Sequence, residues 1–277
     1  FVGSAVRYGF SPNVGCDAEV RVYDKNPNKS THTLEEVIIE SDIIFLSVPT
    51  PSNQDGTMNV DIVDTVLNDI NTINSTMDDE VGIILLRSTV TPGTTSNLQK
   101  KYPNLRIVFN PEFLTERSAN FDFINQSRFI LGGSSDDVIE VSELFRERFG
   151  SSLSIIETNY ETAELIKYMT NTFFATKISF LNDMKLLADK CGVIWEDALE
   201  GFVRDGRVGH SHLNVPGHDG KFGFGGSCFP KDIQALINFG DELGLEMSVL
   251  KGAWETNLKV RPEKDWEQLK GRAVVDE

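Results

Sequence analysis

Short apolar runs alternate with longer amphipathic stretches through the first ~150 residues, the rhythm of strands joined by crossover helices. The runs predict strands over 18–24, 42–48, 81–88, 105–109, 128–131 and 153–156. Helical spacing intervenes over 4–9, 33–40, 60–72, 93–101 and 136–149, which together predict a parallel α/β sheet. The rhythm then changes. From 160 to 190 apolar residues recur at helical spacing without a proline or glycine, longer than an ordinary globular helix. Further helices are predicted over 195–203, 231–243 and 247–259. The pattern divides the chain into an α/β domain over 1–157, a helical domain over 158–262 and a tail over 263–277.

The opening residues Phe1-Val2-Gly3-Ser4-Ala5-Val6 read as the end of a dinucleotide-binding fingerprint. In G-x-G-x-x-G the last glycine lets helix and strand pack closely, and a ribose-binding acid follows about 20 residues on. Gly3 and Asp24, with the β-rich run 18–24 before the acid, fit that spacing. A turn glycine and a surface aspartate fit it too. The first strand and first two glycines of such a fingerprint are not in the sequence, so a record shortened at its start is the expectation.

Composition narrows the partners. The 277 residues carry 26 Lys and Arg against 42 Asp and Glu, a net charge of −16, which argues against a nucleic-acid backbone. No apolar run approaches the ~20 residues of a membrane span. Cys16, Cys191 and Cys228 are too few and too scattered for a disulfide framework or a metal site, and a reducing cytoplasm is the expected compartment. His210, His212 and His218 share a Gly/Pro-rich loop without ligand spacing, which points to solvent or substrate rather than metal.

The chemistry concentrates at Gly223-Phe224-Gly225-Gly226-Ser227-Cys228-Phe229-Pro230-Lys231-Asp232. Glycines at 220, 223, 225 and 226 lack Cβ atoms and leave room for another molecule at the backbone. Pro230 suits the first turn of a helix, and a thiol at that N-terminus, near Lys231, is favoured as an anion. Cys228 is thus a candidate nucleophile, against the alternative of a small buried hydrophobe. Polar turns follow two predicted strands, at Val48-Pro49-Thr50-Pro51-Ser52 and Arg87-Ser88-Thr89-Val90, where ligands of open parallel sheets bind. Asn110-Pro111-Glu112-Phe113-Leu114-Thr115-Glu116 sets two carboxylates four apart, and Lys167 and Asn171 stand one helical turn apart. A plain polar strand-to-helix turn is the competing reading for the first two, and solvated surface positions for the other two.

These motifs resemble those of the UDP-glucose/GDP-mannose dehydrogenase family, across most of the chain. The resemblance implies a Rossmann-type parallel sheet domain lacking its first strand, followed by an α-helical dimerisation and catalytic domain. It implies an NAD-dependent, four-electron oxidation of a nucleotide sugar, UDP-glucose to UDP-glucuronate above all, in the nucleotide-sugar metabolism behind polysaccharides. Cys228 would carry a thiohemiacetal and then a thioester. Lys167 and Asn171 would hold the oxyanion, Asp232 would orient water or lysine, and Glu112 or Glu116 would activate the hydrolytic water. Thr89 would touch the nicotinamide end and that water.

The same resemblance assigns NAD contacts to Val2, Gly3, Asp24, Lys29, Val48, Pro49, Thr50, Ser88, Thr89, Glu116 and Lys231. Substrate contacts fall to Glu112, Phe113, Leu114, Lys167, Asn171, Arg207, Phe224, Gly225 and Cys228, with Arg207 reaching from a partner subunit. A homodimer would form through the long helix. The loop 210–221 is longer than in many members, and Leu269-Lys270-Gly271-Arg272-Ala273-Val274-Val275 looks like the first strand of a third domain. Two rivals remain: a β-hydroxyacid dehydrogenase transferring one hydride without a cysteine, and an inactive remnant that only dimerises.

Overall fold

The computed structural model describes residues 1–77 and 80–276, which form two compact units. One comprises Phe1–Thr50 and Val60–Lys167, the other Pro51–Asn59 and Tyr168–Glu277, with Glu277 itself outside the described residues.

The first unit holds a five-stranded sheet in sequence order: β1 (Ile43–Leu46), β2 (Ile83–Leu86), β3 (Ile107–Phe109), β4 (Phe129–Gly132) and β5 (Ile155–Thr158). β1, β2 and β3 run parallel, with Ile43 opposite Ile83 and Ile84 opposite Ile107. Every residue of β2, β3 and β4 is buried, as a sheet covered on both faces requires. Successive β2 side chains alternate between two cores. Ile84 and Leu86 pack with Ile38, Leu67, Ile70 and Phe109, while Ile83 and Leu85 pack with Ala5, Val6, Phe123, Phe129 and Phe145.

The helices covering the sheet are α1 (Val2–Gly9), α2 (Leu34–Ile39), α3 (Asp61–Asn74), α4 (Thr94–Lys101), α5 (Ala119–Ile124) and α6 (Ser135–Phe149). Thr33 and Glu36 close a reciprocal capping box on α2, and the Ser134 hydroxyl caps α6; each such cap is worth about 1 kcal/mol.

Three sequence expectations change. The sheet is predominantly, not wholly, parallel: β4 runs antiparallel to β3 through Phe109 and Gly132, and β5 is parallel to β4. The connection 110–128 returns to the end of the sheet it left, so β4 enters reversed. Residues 18–24 stay extended but form no strand. Their backbone groups are satisfied locally instead, Val22 N–H by the Thr31 hydroxyl and Asp24 N–H by the Ser30 hydroxyl. Finally, α5 escaped prediction because it spans only six residues and has no side-chain cap.

Close packing of α1 also rests elsewhere than expected. A Cβ on Gly3 would come no nearer than 4.0 Å to Ser47 Cβ, whereas one on Gly9 would overlap the Phe123 ring. Gly9, not Gly3, is the glycine that packing within the described residues demands.

The second unit is built on α7 (Tyr160–Cys191), whose first two turns belong to the first unit, with α8 (Trp195–Val203), α9 (Phe229–Glu242) and α10 (Ser248–Val260). Ala175, Phe224, Ile233, Ile237 and Ala253 form its larger core, and Tyr168, Ala235 and Leu236 a smaller one against Met58. The segment 51–59 is held by Asn238, which donates to the Asp55 carbonyl at 2.9 Å. Residues 269–275, expected to start a strand, pair only through single bridges, Ser52 with Val274 and Lys270 with Val274. Among the described residues no helix is long and apolar enough to cross a membrane.

Candidate active site

In the first unit the carboxyl ends of β1 and β2 carry the two polar turns, and these are tied to each other. The Ser88 hydroxyl donates to the Val48 carbonyl at 2.6 Å, and the Thr50 hydroxyl donates to the Thr89 carbonyl at 2.8 Å. Both hydroxyl protons are thereby committed, which leaves Ser88 and Thr50 as acceptors towards any ligand. Thr89 is half-buried and Pro49 exposed beside them.

The turn after β3 buries one carboxylate and exposes the other. Glu112 lies at 6% exposure, accepts the Leu114 N–H at 2.7 Å and pairs with Lys167 Nζ at 3.2 Å. Lys167 also donates to the Glu112 carbonyl and stands 5.2 Å above the Phe113 ring, whose face Arg128 approaches at 4.5 Å. Glu116 is at the surface, and the Leu114 side chain is packed in the apolar core.

Two charged groups here escaped the sequence reading as chemistry. Arg87 is fully buried, bonded to Asn110 Oδ1 and riding the Phe123 face at 5.6 Å. Among the described residues its Nε and Nη2 find no hydrogen-bond partner, and burial pulls the guanidinium down to about 10 while the Glu112 charge opposes that. Glu164, one turn before Lys167 on α7, is completely buried and accepts the N–H groups of Gly93 (2.6 Å) and Thr95 (2.7 Å) at the start of α4. Burial pushes its carboxyl up to about 7 against the pull of those donors.

In the second unit Cys228 stands at the N-cap of α9, half-buried, with Pro230 in the first turn as its position predicts. Its Sγ lies 3.8 Å from Ser227 Oγ. Asp232 is 1% exposed and accepts from Asn171 Nδ2 and from Lys231 Nζ, each at 2.6 Å. Lys231, expected at the cofactor, is buried here, its ammonium also 3.9 Å from Met58 Sδ. Phe224 is core, and Gly225 faces the Arg261 guanidinium. Arg207 is surface-exposed and forks onto Asp205. His212 stacks on Phe174 at 4.0 Å and its ring is held below the usual imidazole range, first by burial and then by Lys177.

The described residues fit a dinucleotide on one side of the sheet. An open concavity of about 400 Å³ is lined by Tyr23, Asp24, Lys25, Ser30, Thr31 and their neighbours, with the Asp24 carboxylate at its wall. Val2 and Gly3 open α1, Gly3 without a Cβ of its own, and Lys29 lies exposed in the turn Pro27–Lys29 that follows Asp24. An acid for ribose hydroxyls and a helix N-terminus for phosphate are the two features a dinucleotide requires.

Comparison with known proteins agrees. Residues 19–149 match the NAD binding domain of the UDP-glucose/GDP-mannose dehydrogenase family, and residues 161–259 match its central domain. The chain is 36% identical over 230 residues to the UDP-glucose 6-dehydrogenase of Rickettsia prowazekii, covering 80% of this chain and 50% of that protein. A UDP-glucose dehydrogenase from Pyrobaculum islandicum superposes with a TM-score of 0.77 at 27% identity, over 94% of this chain and 66% of that one. A Mycobacterium tuberculosis 3-hydroxyisobutyrate dehydrogenase, 14% identical, gives a TM-score of 0.71 over 95% and 91% of the two chains, a likeness of fold alone. The chain spans about half the length of the curated relatives it matches.

Proposed function

Because the chain belongs to the UDP-glucose/GDP-mannose dehydrogenase family, we propose that it is an NAD-dependent nucleotide-sugar 6-dehydrogenase, oxidising UDP-glucose to UDP-glucuronate. The observation that carries this reading is the placement of Cys228 at the N-terminus of α9, one turn before a buried Asp232 that is bonded to Asn171. Val2, Gly3, Asp24, Lys29, Val48, Pro49, Thr50, Ser88 and Thr89 would hold the cofactor, with Glu116 and Lys231 further contacts. NAD, when bound, accepts a hydride in each of the two oxidations that take an alcohol to a carboxylate.

The chain's own groups do the rest. The Cys228 sulfur adds to the aldehyde carbon, forming a C–S bond while the carbonyl oxygen takes the electron pair and then a proton. Asn171 keeps one amide hydrogen beyond that given to Asp232; by the family resemblance that amide and the Lys167 ammonium would be the donors to this oxygen. Oxidation of the thiohemiacetal leaves a thioester. Glu112, buried beside Lys167, takes a proton from the attacking water, and the C–S bond breaks to return the thiol. The exposed Glu116 is too solvated for that role. Covalent capture keeps the aldehyde from escaping between the two steps.

The exposed apolar stripe on α7 supports a homodimer. Met169, Phe173, Phe180 and Leu187 are 59%, 60%, 48% and 56% exposed and recur at helical spacing. A cytoplasmic location belongs to the same proposal.

Cys228→Ser is the direct test. With UDP-glucose and NAD it should form UDP-glucuronate at least about a thousandfold more slowly than the parent chain, the scale of losing an activated nucleophile. Full acid production by this variant would end the thioester route.

A further inference from the structure

The glycines before Cys228 separate into two kinds. Gly220 and Gly226 have left-handed backbones (φ 74° for each) and open space where a Cβ would stand. Gly223 shares the left-handed backbone (φ 69°) but not the open space, and Gly225 has neither. A Cβ on Gly223 would overlap Asn257 Oδ1, and one on Gly225 would stand 2.6–2.8 Å from three atoms of the Arg261 guanidinium. At Gly225 the Arg261 side chain, just past α10, excludes a Cβ; at Gly223 the Asn257 side chain and the left-handed backbone both do.

The contacts made there are extensive. Asn257 is fully buried, and its amide pairs with one residue's backbone: Oδ1 accepts Phe224 N–H at 2.7 Å, and Nδ2 donates to the Phe224 carbonyl at 3.0 Å. That imitates a rung of a β-ladder with a side chain as partner strand. Asn182, 1% exposed on α7, accepts Gly223 N–H at 3.0 Å while its own Nδ2 donates to the Ile178 carbonyl. Arg261 is fixed by Asp265 and Asp219 at 2.6 and 2.5 Å and donates to the Phe222 carbonyl at 3.3 Å. Four backbone groups of Phe222, Gly223 and Phe224 are therefore taken by side chains from two helices. Phe224 then meets Phe229, the neighbour of Cys228, edge to face at 6.2 Å.

We infer that Asn257, Asn182 and Arg261 are positioning residues for the Cys228 thiol, a side-chain clamp that fixes the loop from which α9 begins. The inference rests on the reading of Cys228 as nucleophile. A loop of glycines is conformationally free, and without the clamp the thiol has no single location over the first N–H groups of α9. Asn257 satisfies buried backbone groups of Phe224, and Asn182 and Arg261 half-buried ones of Gly223 and Phe222, so the loop cannot drift without losing them together.

The probe is iodoacetamide on the intact chain, with alkylation of each cysteine followed by peptide mass spectrometry and exposed Cys191 as internal reference. In the parent chain Cys228 should react at least tenfold faster than Cys191 at pH 7. Asn257→Ala should slow Cys228 at least tenfold and move its pH profile to the alkaline side. Asn257→Asp keeps the acceptor for Phe224 N–H but loses the donor, and should fall between, which decides the matter even where the alanine variant does not fold. Leu236→Ala, a core truncation in α9, should lower the melting temperature yet leave Cys228 as fast as in the parent. Unchanged reactivity in both Asn257 variants overturns the clamp, as does equal slowing by Leu236→Ala at equal thermal loss. A parent Cys228 no faster than Cys191 instead brings down the nucleophile reading itself.

Discussion

At the residue scale, buried charges govern the first unit. Lys167 and Glu112 are both almost wholly excluded from water, so removing either partner strands the other. Lys167→Met alone should destabilise the chain by about 3–5 kcal/mol in denaturant titration, and adding Glu112→Gln should recover part of that loss. Glu164 gives a pH signature. Burial pushes its carboxyl up to about 7 in the folded chain, against an ordinary carboxylate value of 4.5 when unfolded, so the folded state holds the extra proton between those limits. Stability should therefore be greatest below the unfolded value and decline by roughly 3 kcal/mol as pH rises towards 7, levelling off beyond. Glu164→Gln should flatten that slope in melts run across the window; an unaltered slope would remove Glu164 as its source. Glu112, Lys167, Asn171 and Cys228 stood out in the sequence because each lies in a local string. Asn182, Asn257, Arg261 and Arg87 did not, because their bonds to Gly223, Phe224, Asp219 and Asn110 span 23 to 42 positions and no local pattern encodes such pairs.

At the element scale, hydrophobic period read well wherever an element buries one face or both. β2 and the amphipathic α3 lie where their periods place them. The reading failed at 18–24, where strand-like alternation meets hydroxyl groups instead of a neighbouring ladder, and at β4, whose direction depends on a connection and not on its own residues. Helix α7 carries the element-scale prediction. Phe173→Glu together with Phe180→Glu places charge on its exposed apolar stripe and should convert a dimer into a monomer by light scattering at micromolar concentration. A double variant that remains dimeric would move the interface off this helix. Gly9→Ala tests the packing of α1: overlap with Phe123 should cost about 1–3 kcal/mol.

At the scale of the whole molecule, the change from alternating short elements to one long helix set the expected boundaries at 157 and 262, whereas the two compact units divide after Lys167 and exchange 51–59. What the sequence pattern could not announce is that 51–59 leaves one unit to join the other, since nothing in nine polar and apolar residues marks long-range membership. The net charge of −16 makes the folded state self-repelling, so raising NaCl from low to moderate concentration should raise the melting temperature, by roughly 2–4 °C for each kcal/mol of repulsion screened. The central claim is that one sulfur atom holds the sugar through two successive oxidations. Counting NADH formed per UDP-glucose consumed tests it most directly. Two NADH per UDP-glucose are expected, with UDP-glucuronate as the sole product; one NADH per substrate, with a released carbonyl compound, would rule out covalent capture through both oxidations.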